Sequence, residues 1–203
     1  MTTNDWVKRL HKFSAATIYE AAGKLGGMEP HIRSIVAGVR MVGPAFTVKC
    51  VVGDARAVAQ AVDQATPGDV LVIDAGGTDL TTPWGSMSAT AAKLRGLAGC
   101  VTNGGVRDFD ELVEIGFPVF SAGVGIRGNV KIHPGWIGIP VSVGGVTVRP
   151  GDIVVGDADG VVVVPVESAE KICSKAAQQH AKENDIMQRI RSGERLTQIF
   201  GIE

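Results

Sequence analysis

An arginine and an aspartate stand side by side in the segment Gly104-Gly105-Val106-Arg107-Asp108. The segment follows an apolar run over residues 97–103 that is typical of a buried strand, and a short helical pattern from Phe109 to Ile115 comes after it. The pair therefore stands where a strand ends, and the paired glycines let another group approach the backbone closely. In open α/β sheets, ligands bind at that end of the strands.

These two side chains predict a site for a metal-chelated, anionic small molecule. A guanidinium offers a fixed fork to a carboxylate, and an aspartate is a hard oxygen ligand for Mg²⁺. A structural interpretation stands beside this one. Asp108 and Glu111 have the spacing of a capping box, with Asp108 as the N-cap of the next helix and Arg107 as a solvated side chain. Both interpretations can hold, because a cap residue can also face a site.

A second candidate is the turn Gly85-Ser86-Met87-Ser88, which precedes a helical pattern of small residues over 86–98. Backbone N–H groups at a helix N-terminus bind anions, and Gly85 leaves room for a ligand. An ordinary serine N-cap is the alternative. Because this turn and Arg107 should lie at the same edge of the sheet, we expect them to bind one carboxylate together.

Other site chemistries find little support. The string Gly123-Val124-Gly125-Ile126-Arg127-Gly128 matches the dinucleotide fingerprint, but residues 129–134 read as loop or strand where that fingerprint needs a helix. We therefore expect a surface loop. The sequence contains no Gly-x-Ser-x-Gly elbow, and the 4 histidines show no ligand spacing, so nucleophilic hydrolysis is not expected.

The composition predicts one domain over the 203 residues, with a helical N-terminal extension (1–30) and a C-terminal helix and tail (167–203). A net charge of -1 with dispersed Lys and Arg argues against a nucleic-acid partner. The 3 cysteines lie far apart, which indicates reduced residues and no zinc site. No signal-peptide pattern and no apolar stretch of about 20 residues is present. We expect a cytoplasmic protein with no membrane partner.

The scaffold that must position these residues reads as α/β with a mixed sheet, because strands and helices alternate before a series of consecutive strands. Helices are predicted within 4–25, the second opening at Ser14, and over 55–65 with Asp54 as cap. A long helix from Ser168 to Arg191 is polar on most faces and is expected to pack on a neighbouring subunit. Strands are predicted at 39–52, within 67–77, and at 100–103, 118–121, 140–143, 146–148, 153–155 and 160–164.

Several segments resemble the 4-hydroxy-4-methyl-2-oxoglutarate aldolase family, which also includes the regulator of ribonuclease activity A proteins. They run from Trp84 to Gly96, from Gly99 to Asp108 and from Gly156 to Val161, and the similarity covers nearly the whole chain. The resemblance implies a mixed-sheet, swivelling β/β/α-type fold with N-terminal helices and a long C-terminal helix. It also implies a class II lyase that uses Mg²⁺ or Mn²⁺ and forms homotrimers or hexamers with sites between subunits.

Carried over residue by residue, the resemblance makes Asp108 the metal ligand and places Arg107 on the keto or enolate oxygen of the substrate. The backbone of Gly85, Ser86, Met87 and Ser88 would hold the pyruvyl carboxylate. Glu183 matches an acidic residue that reaches the neighbouring subunit's site, although a solvated helix residue is the alternative. The chain departs from the family in two places. Better-studied aldolases have Asp where this chain has Ser86, and Thr78 stands where a smaller residue is expected.

The expected activity is retro-aldol cleavage of a 4-hydroxy-2-oxo acid to pyruvate, with oxaloacetate decarboxylation as a side activity through the same pyruvate enolate. One rival is a non-catalytic regulator that binds a ribonuclease or helicase partner. A third hypothesis is the same enolate chemistry on a different 2-oxo or 3-keto acid. The presence of Arg107, Asp108 and Glu111 together favours an enzyme, because a pure binding protein does not need a metal ligand.

Overall fold

The computed structural model describes residues 2–77 and 81–202, so Thr78 lies outside the described residues. The helices are α1 (Thr3–Leu10), α2 (Ala15–Ala21), α3 (Arg56–Gln64), α4 (Ser86–Leu94), α5 (Phe109–Ile115), α6 (Ala169–Arg191) and α7 (Leu196–Phe200). The strands are β1 (Arg33–Ser34), β2 (Met41–Lys49), β3 (Val70–Asp74), β4 (Gly99–Thr102), β5 (Gly105–Val106), β6 (Val119–Ser121), β7 (Gly123–Val124), β8 (Trp136–Ile137), β9 (Val141–Val143), β10 (Val146–Val148), β11 (Ile153–Asp157) and β12 (Gly160–Val164).

The main sheet has the order β1-β6-β4-β3-β2-β11-β12, with β8 also paired to β2. Its centre, β6-β4-β3-β2, is parallel, while β1, β8, β11 and β12 pair antiparallel with their neighbours. The parallel strands are joined through α3, α4 and α5, because a crossover is needed to return the chain to the same edge. The expected α/β class with a mixed sheet is confirmed.

Strand β3 shows how the layers form, because alternate residues of a strand point to opposite faces. Leu71 and Ile73 pack with the core residues of α3, α4 and α5. Val70 and Val72 pack on the other face with Val141 and neighbouring residues of the β9–β10 hairpin. The result is a β/β/α layering of hairpin, sheet and helices, as the resemblance implied.

The main sheet is curled until it nearly closes. Buried residues of β12 share a core cluster with residues of β4 and β6, which lie on the far side of the sheet order. The Arg33 guanidinium on β1 donates to the Asp159 carbonyl in the β11–β12 turn at 3.3 Å. Residues beside α2 cover the free edge of β12, where Gly27 forms an antiparallel bridge with Val162.

The terminal helices pack together against β11 and β12. Trp6, Leu10 and Ile18 share a cluster with Ile172 and Cys173 of α6. The buried residues of α6 all lie in its first half, and the helix continues to Arg191 with no buried residue beyond Ala176. The predicted N-terminal helices and long C-terminal helix are therefore confirmed.

Some local predictions needed correction. Ser14 caps α2 as expected, since its Oγ accepts from the Thr17 N–H at 3.1 Å, but the helix ends at Ala21 and does not reach residue 25, the end of the predicted range. Gly23 (φ 75°) and Lys24 (φ 64°) turn the chain out of the helix earlier. The segment after Gly125 forms no helix, which confirms that the dinucleotide fingerprint does not apply.

Cys50, Cys100 and Cys173 are free and buried, as predicted. Within the described ranges, no helix has the length and apolar character needed to cross a membrane.

Candidate functional site

Two segments at the carboxyl ends of neighbouring strands come together to form the site. One is Trp84-Gly85, which leads from the β3 side into α4, and the other is β5 with the residues after it. Trp84 and Val106 form a parallel bridge, and the Arg107 N–H donates to the Trp84 carbonyl at 3.1 Å. This backbone pairing places Arg107 and Asp108 against the first residue of α4, in agreement with the expectation that the two segments lie at the same edge of the sheet.

The Asp108 carboxylate is held by neighbours on both sides. Its Oδ2 accepts from the Ser86 N–H at 3.1 Å and from the Ser86 Oγ at 3.0 Å, and its Oδ1 accepts from Arg107 Nε at 2.8 Å. Two donors therefore occupy Oδ2, whereas Oδ1 has one and retains a lone pair for another partner.

The capping-box interpretation of Asp108 is wrong as far as the side chain is concerned. Asp108 occupies the N-cap position of α5, but its backbone is left-handed (φ 60°, ψ 50°) and its carboxylate makes no cap hydrogen bond. The side chain turns onto Ser86 instead. A non-glycine residue in this conformation costs on the order of 1 kcal/mol and occurs preferentially at functional sites.

The hydrogen bond from Arg107 lowers the pKa of Asp108. Burial opposes this shift, and the Ser86 N–H and hydroxyl reinforce it. Because the pKa of Asp108 lies below its ordinary value, the group is an anion at neutral pH and can bind a cation without first losing a proton.

Gly85 is required by close packing at this point. A Cβ on Gly85 would stand 2.7 Å from Asp108 Oδ2 and 3.0 Å from Arg107 Cγ. Gly85 is also the N-cap of α4, so Ser86 is its first residue and the alternative interpretation, a serine N-cap, is wrong. The first hydrogen bond within α4 runs from the Ala89 N–H to the Gly85 carbonyl, which leaves the Met87 and Ser88 amides without an acceptor in the helix.

The site opens into a cavity of ≈ 300 Å³. Its lining brings together Gly85, Met87, Ser88, Arg107 and Asp108, with Ser86 directly beneath through its bonds to Asp108. The opposite walls come from α3 and from a loop after β7. The lining residues contributed by these walls are Ala55, Ala59, Val62, Asp63, Gly128, Asn129 and Lys131.

Sequence reasoning missed Asn129 and Lys131, which belong to the segment assigned to a surface loop. The structure folds this loop over the cavity. The Thr82 N–H donates to Asn129 Oδ1 at 3.0 Å, and the Thr82 hydroxyl donates to the Arg127 carbonyl at 2.7 Å. Gly128 lies so close to the site that a Cβ there would be 3.1 Å from Arg107 Nη1. No local pattern signals this contact, because it joins segments about 45 residues apart.

Glu183 lies apart from this cavity within one chain. Its carboxylate accepts from Thr17 Oγ1 at 3.2 Å and from Gln179 Nε2 at 2.8 Å, on the side of α6 that faces α2. The structure thus joins Gly85, Ser86, Met87, Ser88, Arg107 and Asp108 in one site, and leaves Glu183 outside it.

The donor set at the cavity fits a cation that needs few protein ligands. Within residues 2–77 and 81–202, no group of three or more His, Cys, Asp or Glu side chains could enclose a metal. Asp108 offers one ionised carboxylate oxygen with a free lone pair. Mg²⁺ is commonly bound through one or two carboxylates together with substrate oxygens and water, whereas structural Zn²⁺ requires four protein ligands. The residues therefore fit Mg²⁺ or Mn²⁺.

Residues 15–163 match the RraA-like family, which is described as Aldolase/RraA. A Halalkalibacterium halodurans protein, provisionally named a 4-hydroxy-4-methyl-2-oxoglutarate aldolase, is 37% identical over 177 residues. That alignment covers 87% of this chain and 84% of the relative.

Solved structures with the same fold include one of a Pseudomonas syringae pv. tomato protein, with a TM-score of 0.84, 30% identity and 96% coverage of both chains. RraAS2 of Streptomyces coelicolor, described as an unusual member of the RNase ES inhibitor RraA protein family, has a TM-score of 0.81 at 31% identity. Its match covers 91% of this chain and 98% of that chain.

Proposed function

The chain belongs to the RraA-like family, and on that premise we propose that it is a divalent-metal-dependent lyase. Its proposed reaction is the cleavage of a 4-hydroxy-2-oxo acid, of the 4-hydroxy-4-methyl-2-oxoglutarate type, to pyruvate, with oxaloacetate decarboxylation as a side activity. The observation that carries the proposal is the meeting of Asp108, Arg107 and the start of α4 in one cavity. The name of the H. halodurans relative points to the same chemistry.

In this proposal Asp108 would hold Mg²⁺ or Mn²⁺, because its Oδ1 accepts only one hydrogen bond and keeps a lone pair. A divalent cation there would supply Lewis-acid polarisation of the 2-oxo group. The free amides of Met87 and Ser88 bind the adjacent carboxylate, as N–H groups at helix N-termini do. Arg107 uses Nε to hold Asp108, and its remaining N–H groups can stabilise the oxygen on which negative charge develops.

The two reactions share a product but differ in their need for a base. In retro-aldol cleavage the C4 hydroxyl loses a proton and the C3–C4 bond breaks, so that its electron pair forms the pyruvate enolate. In oxaloacetate decarboxylation a C–C bond breaks with loss of CO₂ and leaves the same enolate, with no hydroxyl proton to remove. Both enolates then take a proton at carbon to give pyruvate. The Ser86 hydroxyl already donates to Asp108 and is a poor base at neutral pH.

Lys131 and Asn129 define the substrate class more closely. They line the wall that faces Arg107 and Asp108, so the cavity has a second cationic group besides the guanidinium. A 2-oxo acid with a second carboxylate would place that group against Lys131. Dicarboxylic substrates such as 4-hydroxy-4-methyl-2-oxoglutarate are therefore favoured over monocarboxylic ones.

We further propose a homotrimer or hexamer with sites between subunits, in which Glu183 of a neighbouring copy acts as the acid–base group. Exposed apolar side chains support this assembly. On α4, Met87 and Leu94 are 77% and 83% exposed. Further exposed apolar residues follow Glu183 in the C-terminal region, namely Met187, Leu196, Phe200 and Ile202. The free cysteines fit a cytoplasmic location, and no nucleic-acid partner is proposed.

The second candidate is a non-catalytic regulator of a ribonuclease or helicase. It is favoured by the likeness to RraAS2, which is described as belonging to an RNase ES inhibitor family. A pull-down that recovers such a partner, from a protein that releases no pyruvate, would support this role over the lyase.

Pyruvate release from oxaloacetate and from 4-hydroxy-4-methyl-2-oxoglutarate tests the lyase directly. We expect release by the wild type with Mg²⁺ or Mn²⁺, none with EDTA, and a loss of about 100-fold or more in Asp108→Ala. Asp110→Ala, which removes an exposed carboxylate two residues away, is the control and should keep its activity. Full metal-dependent activity in Asp108→Ala would show that Asp108 is not the metal ligand. The absence of pyruvate release by the wild type from both acids would overturn the proposed lyase activity.

A further inference from the structure

The loop formed by residues 127–133, here called the wall segment, forms one side of the cavity and belongs to no helix or strand, although Gly128 and Val130 form isolated bridges with Thr82 and Asp54. It carries Asn129 and Lys131, and Ile132 within it is 61% exposed. Such a segment buries little apolar surface, so its position depends on its hydrogen bonds. Thr82 holds the first end through the Arg127 carbonyl.

Asp54 holds the other end. Its Oδ2 accepts from the Ile132 N–H at 2.8 Å and from the His133 N–H at 2.7 Å, and the His133 ring Nδ1 stands 3.2 Å from the same oxygen. Two backbone bonds continue the attachment, from the Val130 N–H to the Gly53 carbonyl and from the Ala55 N–H to the Val130 carbonyl. The segment is thus held by a residue 78 positions earlier in the chain.

The Asp54 side chain is 1% exposed, and a buried carboxylate is costly unless it is fully hydrogen-bonded. Only one of the two Asp54 oxygens contacts α3. Its Oδ1 accepts from the Arg56 N–H at 2.8 Å near the start of that helix. That bond fulfils the capping role expected for Asp54, although Ala55 is the N-cap residue. The second oxygen binds the wall segment alone, so a helix start does not account for it.

We infer that Asp54 is a positioning residue that holds Lys131 and Asn129 in the cavity wall and thereby sets the affinity for 2-oxo acids with a second carboxylate. Asp54 does not line the cavity and acts through the wall segment. The substrate class in this inference rests on the proposed function. Its structural half, that Asp54 holds the wall segment in place, rests on the hydrogen bonds described above.

Asp54→Asn removes one of the two acceptor oxygens of the side chain, because an amide has one acceptor oxygen and its NH₂ cannot accept from an N–H group. The matched control is Asp152→Asn. Asp152 is also buried, at 3% exposed, and accepts from the Arg149 and Val166 N–H groups at 2.8 and 3.4 Å, but it is not part of the cavity. A general loss of stability should therefore appear in both variants, and an effect on the site in Asp54→Asn alone.

The kinetic test compares 4-hydroxy-4-methyl-2-oxoglutarate with 4-hydroxy-2-oxopentanoate, which lacks the second carboxylate. We expect Asp54→Asn and Lys131→Ala each to raise KM about tenfold for the dicarboxylate only, with kcat changed less than about threefold. The two effects on KM should be less than additive in the double variant, since Asp54→Asn already displaces Lys131. Additive effects in the double variant, or an equal rise in KM with Asp152→Asn, would overturn the inference.

Limited proteolysis with trypsin gives a readout that needs no activity. Cleavage after Lys131 requires the wall segment to open, so Asp54→Asn should be cut there about tenfold faster than the wild type, while Asp152→Asn is not. Equal cleavage rates would overturn the structural half. If the wild type forms no pyruvate, the proposed function fails, and trypsin still decides whether Asp54 holds the segment.

A second variant covers the case in which Asp54→Asn does not fold. Thr82→Val removes the hydroxyl that donates to the Arg127 carbonyl at the other end of the wall segment, with little change in volume. It should also raise KM for the dicarboxylate alone and speed tryptic cleavage after Lys131. An unchanged KM and an unchanged cleavage rate in a folded Thr82→Val protein would contradict the inference.

Discussion

At the scale of single residues, the backbone conformation of Asp108 and the hydrogen bonds to its carboxylate fix the position and the charge of this side chain. Its left-handed backbone directs the carboxylate to Ser86 and away from the start of α5. Arg107 and Ser86 keep it ionised, since their hydrogen bonds favour the anion. Ser86 stands where the resemblance leads us to expect an aspartate, and its N–H and hydroxyl both donate to Asp108.

Ser86→Asp should raise the rate of aldol cleavage relative to oxaloacetate decarboxylation by about tenfold or more, because a carboxylate can accept the C4 hydroxyl proton. The measurement is the ratio of pyruvate release from 4-hydroxy-4-methyl-2-oxoglutarate to that from oxaloacetate. Ser86→Asn, which has the same shape without the charge, should leave the ratio unchanged. Identical ratios in the two variants would show that a carboxylate at position 86 does not act as the base for aldol cleavage.

Asp54 should make the free energy of unfolding depend on pH. Burial alone would raise the pKa of Asp54, but hydrogen bonds from the His133, Arg56 and Ile132 amides and the His133 ring outweigh it and hold that pKa far below its usual value. A carboxyl whose pKa is lowered by folding stabilises the fold above its unfolded pKa of about 3.9, and this contribution is lost as the pH falls toward the folded pKa.

Urea unfolding of the wild type and Asp54→Asn between pH 7 and pH 3 should therefore show a difference in the free energy of unfolding that is largest near neutrality. The difference should shrink below about pH 4, where the unfolded carboxyl takes up a proton. A difference that is constant over the whole range would show that the ionised form of Asp54 is not what stabilises the fold.

At the scale of elements, the site depends on how closely α4 approaches the residues after β5. The bridge between Trp84 and Val106 fixes the register of the two segments, and glycine at position 85 lets them meet. Gly85 has φ −163°, which any residue can adopt, so the requirement for glycine comes from the missing Cβ and not from the backbone conformation.

Gly85→Ala should lower lyase activity about 100-fold, because its methyl group would push Asp108 Oδ2 from its place and small displacements at a site are costly. The thermal midpoint should change little, since the backbone tolerates alanine. Gly123→Ala is the matched control, as a Cβ at Gly123 meets nothing within 4 Å. Normal kcat/KM in Gly85→Ala would show that the position of Oδ2 is not critical.

At the scale of the whole molecule, the α6 helix extends beyond the core, and no residue of its second half is buried. Glu183 lies on this half, and exposed apolar residues follow it. The proposed trimer or hexamer would cover them against a neighbouring copy and complete each site with that copy's Glu183.

Mixing two inactive variants tests this arrangement. Asp108→Asn and Glu183→Gln, co-expressed in equal amounts, should regain activity, because some sites combine an intact Asp108 with an intact Glu183 from the neighbour. Random assembly in a ring restores about a quarter of the sites. Separately purified variants that are mixed without subunit exchange should stay inactive. If co-expression restores nothing while each variant assembles normally, Glu183 does not act across an interface.

The amino-acid pattern by itself indicated most of the longer strands and helices, the α/β class and six candidate residues of the site. This was possible because burial periodicity is local, and because the ends of parallel strands must meet at one edge. Gly85, Ser86, Met87, Ser88, Arg107 and Asp108 could thus be grouped before any contact was known.

Three features were decided only by the tertiary structure. They are the hydrogen bonds between Asp108 and Ser86, the position of Lys131 in the cavity lining, and the hydrogen bonds from the wall segment to Asp54. Each depends on contacts between residues that are 22 to 79 positions apart. The register of the sheet and the path of the loops set such distances, and no local pattern encodes them. The distance from Glu183 to a site depends in addition on a second copy of the chain.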